Sequence, residues 1–447
     1  MRLLDAPMSP ASILKLLAIA AALMMAAQVQ AQNDGPAVQV FTSSSSGSSN
    51  GGGGPVLMPL ERLPVGVSLS LSAGYDTNVG TTSADEHGSF YTSASLGLTY
   101  SFGTERTRVS LNWGTAITYY DNGAGAGFND YQPDTSLNMS ISHQVSERLT
   151  LNSGIYAHFG IEPDFSSGAG ENRRTGNYFY TSDSISASYQ WLERFSTVTS
   201  YSIGVLKYQD AAQSALLDRY DHGISQQFRF LFLPMTTLVA NYGFSLSTYD
   251  QNNTITAVDG MLQSGRDSRS HSFSLGVEQT LGPRLQGSLH AGAQLFSSDQ
   301  EAGDSWSPYG SGSLSFVVGE KTSLTWTAQY STQVANISDA SSRQGYSTGL
   351  QLSYAITPRI SSSLSAYYSH SDYKGQRLLF FDPTRFIIFF AQPTFTEDTF
   401  DFGANLSYSI TPRMSANFDA HYSDVSSGES FRPYSRARFS GGISYSF

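Results

Sequence analysis

The sequence predicts a transmembrane, antiparallel, up-and-down β-barrel of about 18 strands, with a range of 16–20. Three observations predict it. The chain ends in Phe439-Ser440-Gly441-Gly442-Ile443-Ser444-Tyr445-Ser446-Phe447, where every second residue is apolar, aromatic or Gly, and a terminal Phe closes the alternation. The same alternation recurs along most of the chain, and a short charged or Pro-containing turn recurs with it. The N-terminus reads as an export signal.

That signal comes first in order. Arg2 and Lys15 precede a run from Leu16 to Ala27 of Leu, Ile, Ala and Met, and Val29-Gln30-Ala31 supplies a small-residue cleavage site. Residues 1–31 are therefore expected to be a signal peptide and Gln32 the mature start. The apolar run falls short of the roughly 20 residues of a spanning helix, so an uncleaved anchor is the weaker alternative. Residues 32–62 form a Ser/Gly-rich linker, expected on the periplasmic side. Its runs Ser43–Ser46 and Gly51–Gly54 cannot bury a core. Residues 63–447 are the expected barrel.

Eight short turns organise that region. Gly103-Thr104-Glu105-Arg106, Ser146-Glu147-Arg148-Leu149, Leu192-Glu193-Arg194-Phe195 and Leu233-Pro234-Met235-Thr236 are the first four. Gly282-Pro283-Arg284-Leu285, Gly319-Glu320-Lys321-Thr322, Thr357-Pro358-Arg359-Ile360 and Thr411-Pro412-Arg413-Met414 complete the series. Pro presets a turn's first central position and the charges keep the tip wet. Spacings of roughly 44 residues fit two spanning strands and one outer loop. Eight turns pair sixteen strands, and one further strand at each end makes 18, with both termini on one side. Longer polar loops, such as 122–134, 162–176, 250–269 and 298–307, alternate with the turns. Short turns are expected to be periplasmic and long loops extracellular.

Within each predicted strand, period two separates two faces. Ala94, Leu96, Leu98, Tyr100 and Phe102 share one face, and Ser93, Ser95, Gly97 and Thr99 the other. Trp113, Trp191, Trp326, Tyr354 and Tyr408 join the apolar face, often near a segment end, where amphipathic rings favour the headgroup level. A soluble secreted β-protein is the alternative, and an apolar face sustained over so many strands speaks against it. A mildly polar mean hydropathy is what averaging the two faces of a barrel gives.

The polar face is mainly Ser, Gly, Thr, Asn and Gln, and at about 18 strands a barrel is too wide for side chains to fill, leaving an aqueous channel. Seven charges fall on this face and are candidate lumen-lining residues: Asp76, Arg108, Arg229, Glu278, Asp401, Asp419 and Arg438. They form no ladder of one sign, so each either tunes ion selectivity or pairs within the wall. Inward Tyr91, Tyr156, Tyr180, Tyr208, Tyr249 and Tyr367 offer stacking surfaces for sugars or, equally, packing for loops.

The apolar loop 378–396 stands apart. Leu378 to Phe381 and Phe386, Ile387, Ile388, Phe389 and Phe390 flank Asp382-Pro383-Thr384. It reads as an elongated hairpin, and a constriction, a partner-docking loop or a further spanning pair are its alternatives.

Several function classes are poorly supported. The chain carries a net charge of −11, becoming about −12 once the +1 of Arg2, Asp5 and Lys15 is removed, so no nucleic acid is expected as partner. With no Cys there is neither disulfide nor lipid-anchor Cys. The eight His are scattered without metal-ligand spacing and no G-x-S-x-G elbow occurs. No enzyme, no metal and no cofactor are expected.

Ser72-Ala73-Gly74-Tyr75-Asp76-Thr77-Asn78-Val79 resembles the opening of the putative β-barrel porin-2 family, and the terminal Ser444–Phe447 and the Thr-Pro-Arg turns at Thr357 and Thr411 are similar to the same group. The resemblance covers most of the chain from Pro64 on. It implies an integral outer-membrane pore, and for some members an association with exopolysaccharide export. The expected function is an outer-membrane channel for passive diffusion of small hydrophilic solutes, the alternative being a structural or exit-port barrel of exopolysaccharide export. Expected partners are outer-membrane lipid and lipopolysaccharide, the barrel assembly machinery through Phe447, and polysaccharide-export proteins.

Overall fold

The computed structural model describes residues 65–447 apart from 124–128, 164–172, 251–265, 300–303, 338–339, 376–377, 383–386 and 392–393. The expected signal peptide and linker lie outside the described residues.

Alternation converts directly into strands. The first nine are β1 (Val65–Asp76), β2 (Ser89–Gly103), β3 (Thr107–Tyr120), β4 (Tyr131–Gln144), β5 (Leu149–Gly160), β6 (Tyr178–Leu192), β7 (Phe195–Tyr208), β8 (Arg219–Leu233) and β9 (Thr236–Tyr249). Then come β10 (Ser268–Thr280), β11 (Leu285–Ser298), β12 (Ser305–Val318), β13 (Thr322–Val334), β14 (Ala340–Thr357) and β15 (Ile360–Gly375). A short pair, β16 (Leu378–Asp382) and β17 (Ile387–Ala391), precedes β18 (Thr394–Thr411), β19 (Met414–Ser427) and β20 (Tyr434–Ser446). One helix, α1 (Ala211–Leu217), lies between β7 and β8, capped by the Asp210 carboxylate, which accepts from the Ala212 and Gln213 N–H groups at 3.0 Å.

Each wall strand pairs antiparallel with the next, β15 pairs with β18, and β20 returns to β1. The result is a closed 18-strand barrel without a free edge. The apolar hairpin β16–β17 forms its own two-stranded sheet, so it adds no spanning pair. Below it the wall is continuous, because Lys374 faces Thr394 in the β15–β18 register.

Register keeps like with like. Across β1 and β2, Leu69 meets Leu96 and Leu71 meets Ala94, while Ser70 meets Ser95 and Ser72 meets Ser93. The apolar rows are strongly exposed: Leu275 is 72% and Leu289 67% accessible. A soluble sheet buries such rows, so an exposed apolar belt running round a closed barrel requires lipid as its solvent. No described helix is long and apolar enough to cross a membrane.

The eight turns share one backbone hydrogen bond. The carbonyl groups of Arg106, Arg148, Arg194, Met235, Arg284, Lys321, Arg359 and Arg413 each accept a hydrogen bond from a backbone N–H of the strand beyond the turn's own hairpin, at 2.7–2.9 Å. Side-chain hydroxyls brace several of them. Thr357 Oγ1 accepts from the N–H groups of Arg359 and Ile360, and Ser146 Oγ from those of Arg148 and Leu149. Gly319 takes φ +68°, which favours a residue without Cβ.

Candidate channel and its two mouths

Starting from period two, the face opposite the exposed apolar rows carries Ser68, Ser70 and Ser72 on β1, Ser184, Ser186 and Ser188 on β6, and Ser361, Ser363 and Ser365 on β15. Asp76, Arg108, Arg229, Glu278, Asp401, Asp419 and Arg438 lie in these polar rows. Most are engaged within the wall. Arg229 Nη1 donates to Glu278 Oε1 at 2.9 Å, and its Nη2 donates to the other carboxylate oxygen. Ser423 Oγ donates to Asp401 at 2.7 Å and His421 Nε2 lies 2.9 Å from the same carboxylate. Because that serine addresses the carboxylate and not the imidazole, it is not an activated nucleophile. Asn405 Nδ2 donates to Asp419 at 2.6 Å. Arg108, near the first turn, is exposed. The wall thus offers small polar groups and local charge pairs of both signs, not a field of one sign.

The long-loop mouth is built differently. Asp76, fully buried, accepts from Arg436 Nε at 3.0 and 3.1 Å. Arg436 Nη1 also donates at 2.7 Å to Glu162, which follows β5, and Arg438 Nη1 donates to the same carboxylate at 3.2 Å. Arg174, preceding β6, completes the cluster. It pairs with Glu162, and donates from Nη1 to the Val79 carbonyl and from Nη2 to Tyr120 Oη, both at 2.9 Å. Glu162 belongs to a loop four strands from β1, so its contacts tie the β5–β6 loop to the seam where β20 meets β1. Burial alone would raise the Glu162 pKa. The three guanidinium groups outweigh that and hold it well below the usual carboxylate range.

Gly74 lets this cluster form. A Cβ there would lie 2.1 Å from the Phe439 carbonyl and 2.7 Å from the Tyr91 ring. Tyr91 in turn packs with Tyr120 and Val79, and Arg438 stacks over it at 4.4 Å.

Further round the mouth, the same inward packing repeats. Gln294 is buried and grips the Thr332 backbone at both ends, donating to its carbonyl at 2.7 Å and accepting from its N–H at 3.0 Å. The segment after Thr332 brings Ala335 and Ile337 against Tyr373 and Phe395. Glu397, 1% exposed, accepts from Arg432 Nε at 2.8 Å. Arg266 donates to the carbonyls of Leu216, Ile337 and Ala340 at 2.6–3.1 Å, joining three loops. The inward Tyr91, Tyr208 and Tyr249 are buried in this layer, while Tyr156, Tyr180 and Tyr367 are half-buried. Buried apolar side chains other than Val239 lie at this end of the barrel, among the described residues.

Outside, aromatic and polar side chains accompany the apolar belt. Near the turns stand Trp191, Tyr354, Tyr408 and Tyr445, all exposed. From mid-strand toward the long loops stand Tyr201 with His222 at 2.9 Å, Tyr242 with His271 at 3.0 Å, and Asp398 accepting from Tyr368 Oη at 2.7 Å beside His370. Of the apolar loop, Ile387, Ile388, Phe389 and Phe390 lie in β17, whereas Phe386 lies outside the described residues. No group of three or more His, Asp or Glu is placed to hold a metal ion among the described residues.

A closed 18-strand barrel with an exposed apolar belt and a polar, charge-paired interior defines an outer-membrane β-barrel of the porin type. The chain belongs to the family described as Putative beta-barrel porin 2, whose model matches residues 65–447. No curated protein matches the sequence. Among solved structures, the chain is similar to the siderophore receptor PirA from Acinetobacter baumannii, at 8% identity and a TM-score of 0.42, covering 86% of this chain and 81% of that one. A ferric enterobactin receptor (PfeA) mutant from Pseudomonas aeruginosa gives 10% identity and a TM-score of 0.41, with coverages of 86% and 81%. The FrpB iron transporter from Neisseria meningitidis gives 11% and 0.39, over 80% of this chain and 61% of that one. Likenesses of this degree bear on neither substrate nor mechanism.

Proposed function

We propose that the protein is an outer-membrane channel for passive diffusion of small hydrophilic solutes, a non-enzyme whose residues line a path and do not react. The observation that carries this reading is the polar wall: rows of Ser, Gly, Thr, Asn and Gln with charges neutralised in pairs, as Arg229 and Glu278 are. Such a wall hydrates a solute without holding it, which is what passage requires. The short turns and both termini face the periplasm. Loops packed inward at the other mouth narrow the entrance and set the size limit. Lipopolysaccharide surrounds the long-loop margin, and Phe447, whose N–H donates to the Val67 carbonyl at 2.9 Å, is the handle for the barrel assembly machinery.

A second reading, an exit port or structural barrel in exopolysaccharide export, is favoured by the hairpin β16–β17, which forms a two-stranded sheet of its own outside the wall and in this reading serves a polysaccharide-export partner. Single-channel recording of the refolded mature protein in a planar bilayer separates the two. Stable ohmic steps support the diffusion channel. Silence from protein shown to be folded overturns it and favours the second reading.

A further inference from the structure

We infer that one arc of the short-turn rim is a binding surface for anionic phospholipid headgroups. Four turns in succession round the closed wall, β10–β11, β12–β13, β14–β15 and β18–β19, carry Arg284, Lys321, Arg359 and Arg413. All four side chains are exposed, and among the described residues none of them is seen in an ion pair or side-chain hydrogen bond. Their backbones hold the same position, each carbonyl accepting from the N–H of the strand beyond, at 2.8 Å. Successive turns are two strands apart, so the cations repeat at about 10 Å along the rim.

Charge and neighbours choose the partner. Glu320 is the one acidic side chain in these four turns, so their side chains carry a net charge of +3 (four cations less one acid). On the remaining turns Glu105, Glu147 and Glu193 match Arg106, Arg148 and Arg194, and Met235 replaces a base, so the other arc is neutral. Beside the four cations the outward face ends in exposed apolar and aromatic residues: Leu281, Val318, Tyr354 with Ile356, and Tyr408 with Ile410. Cations one step beyond the edge of an apolar belt lie at the depth of lipid phosphates, where each Lys or Arg attracts anionic lipid by about 1 kcal/mol, roughly five-fold. An acidic polymer entering the lumen would need the charge inside the mouth, whereas these residues occupy the tips and adjoin the belt. The inference rests on the membrane placement of the barrel and not on what passes through it.

Native mass spectrometry of the full mature chain, released from vesicles of equal phosphatidylglycerol and phosphatidylethanolamine, reads the preference directly. Retention of phosphatidylglycerol about five-fold over phosphatidylethanolamine is expected, falling toward equality in 0.5 M salt (on the order of a 4 Å screening length). The combined R284Q/K321Q/R359Q/R413Q variant loses the preference, while R106Q/R148Q/R194Q keeps it, with heat-modifiable migration on gels confirming folded barrels. Equal retention by the unaltered protein, or an unchanged preference in the quadruple variant, overturns the inference. So does acidic oligosaccharide binding that needs the same four residues while lipid preference stays unchanged. Failure to enter vesicles of either lipid would overturn the membrane placement as well. Conductance is not part of the readout, so this surface and the solute channel stand or fall separately.

Discussion

Asp76 on the first strand and Arg436 on the last are clasped across the seam that closes the barrel, the guanidinium Nε lying 3.0 and 3.1 Å from the two carboxylate oxygens. The seam pairs nine residues of each strand, from Ser68↔Ser446 to Asp76↔Arg438, and the clasp sits at its long-loop end. Glu162 extends that clasp to the β5–β6 loop, because its carboxylate takes Arg436, Arg438 and Arg174 together. Seam and mouth cluster are therefore one structure.

Replacing Glu162 by Gln takes the shared carboxylate from Arg174 and Arg438 and leaves Arg436 with Asp76 alone. Breaking one side of such a cluster costs a few kcal/mol, roughly 1–3 here because Glu162 retains 30% exposure. The expected outcome is a β5–β6 loop that lets go of the seam, seen as larger or more variable single-channel conductance with an unchanged barrel by circular dichroism. A Glu162→Gln channel identical to the unaltered one would remove Glu162 from any gating role.

The same contact predicts a pH response whose sign is fixed. The Glu162 pKa is lowered in the folded state. Its stabilisation is therefore fully present above the ordinary glutamate value of about 4.3 and is lost as pH falls through the lower, folded value. Conductance is expected to stay constant from neutrality to about pH 5 and to rise only below the ordinary range. A rise centred near pH 6–7 would point to His groups instead.

Face assignment makes a paired prediction. Leu275 is outward and 72% exposed near the middle of β10, whereas Ser184 is inward and exposed near the middle of β6. Leu275→Arg should cost about 2–4 kcal/mol in a lipid-bilayer unfolding titration, and Ser184→Arg about 0–1 kcal/mol while shifting the channel toward anions. Equal costs at the two positions would mean that the faces are assigned wrongly.

Turn chemistry is testable with single atoms. Thr357 Oγ1 accepts from two backbone N–H groups of its turn, and Thr411 Oγ1 accepts from Arg413 N–H. Thr357→Ala should lower stability by about 0.5–1.5 kcal/mol, and Thr357→Ser should restore most of it in the same titration.

Excising the hairpin tests its independence. Since Lys374 already faces Thr394, replacing residues 376–392 with Asn-Gly should leave folding and heat-modifiable migration unchanged. Loss of the folded form would make the hairpin part of the barrel's framework, and a change in conductance alone would place it over the lumen.

Sequence read well wherever period two ruled. Ser68 to Ser72 against Leu69 and Leu71, and Thr357-Pro358-Arg359, carry their structural meaning locally, which is why the 18 strands and eight turns were legible. The mouth was not. Glu162 meets Arg436 from beyond the end of β5, and polar loop residues carry no periodicity to announce a partner 274 positions away. Arg436 itself was within reach, because it lies two residues before Arg438 on the same strand and so shares its face. Gln294 and Thr332 had no such signal: the contact exists because β13 parts from β12 beyond Tyr330.

An even strand number, closed by β20 against β1, has a topological consequence. Val65 and Ser446 open and close the wall at one rim, and Phe447 is bonded to Val67. Anything joined to the wall directly before Val65 or after Ser446 therefore starts on the same side, at neighbouring points on one circle. The two ends act as a single address, and only an insertion into a long loop can report from the other side.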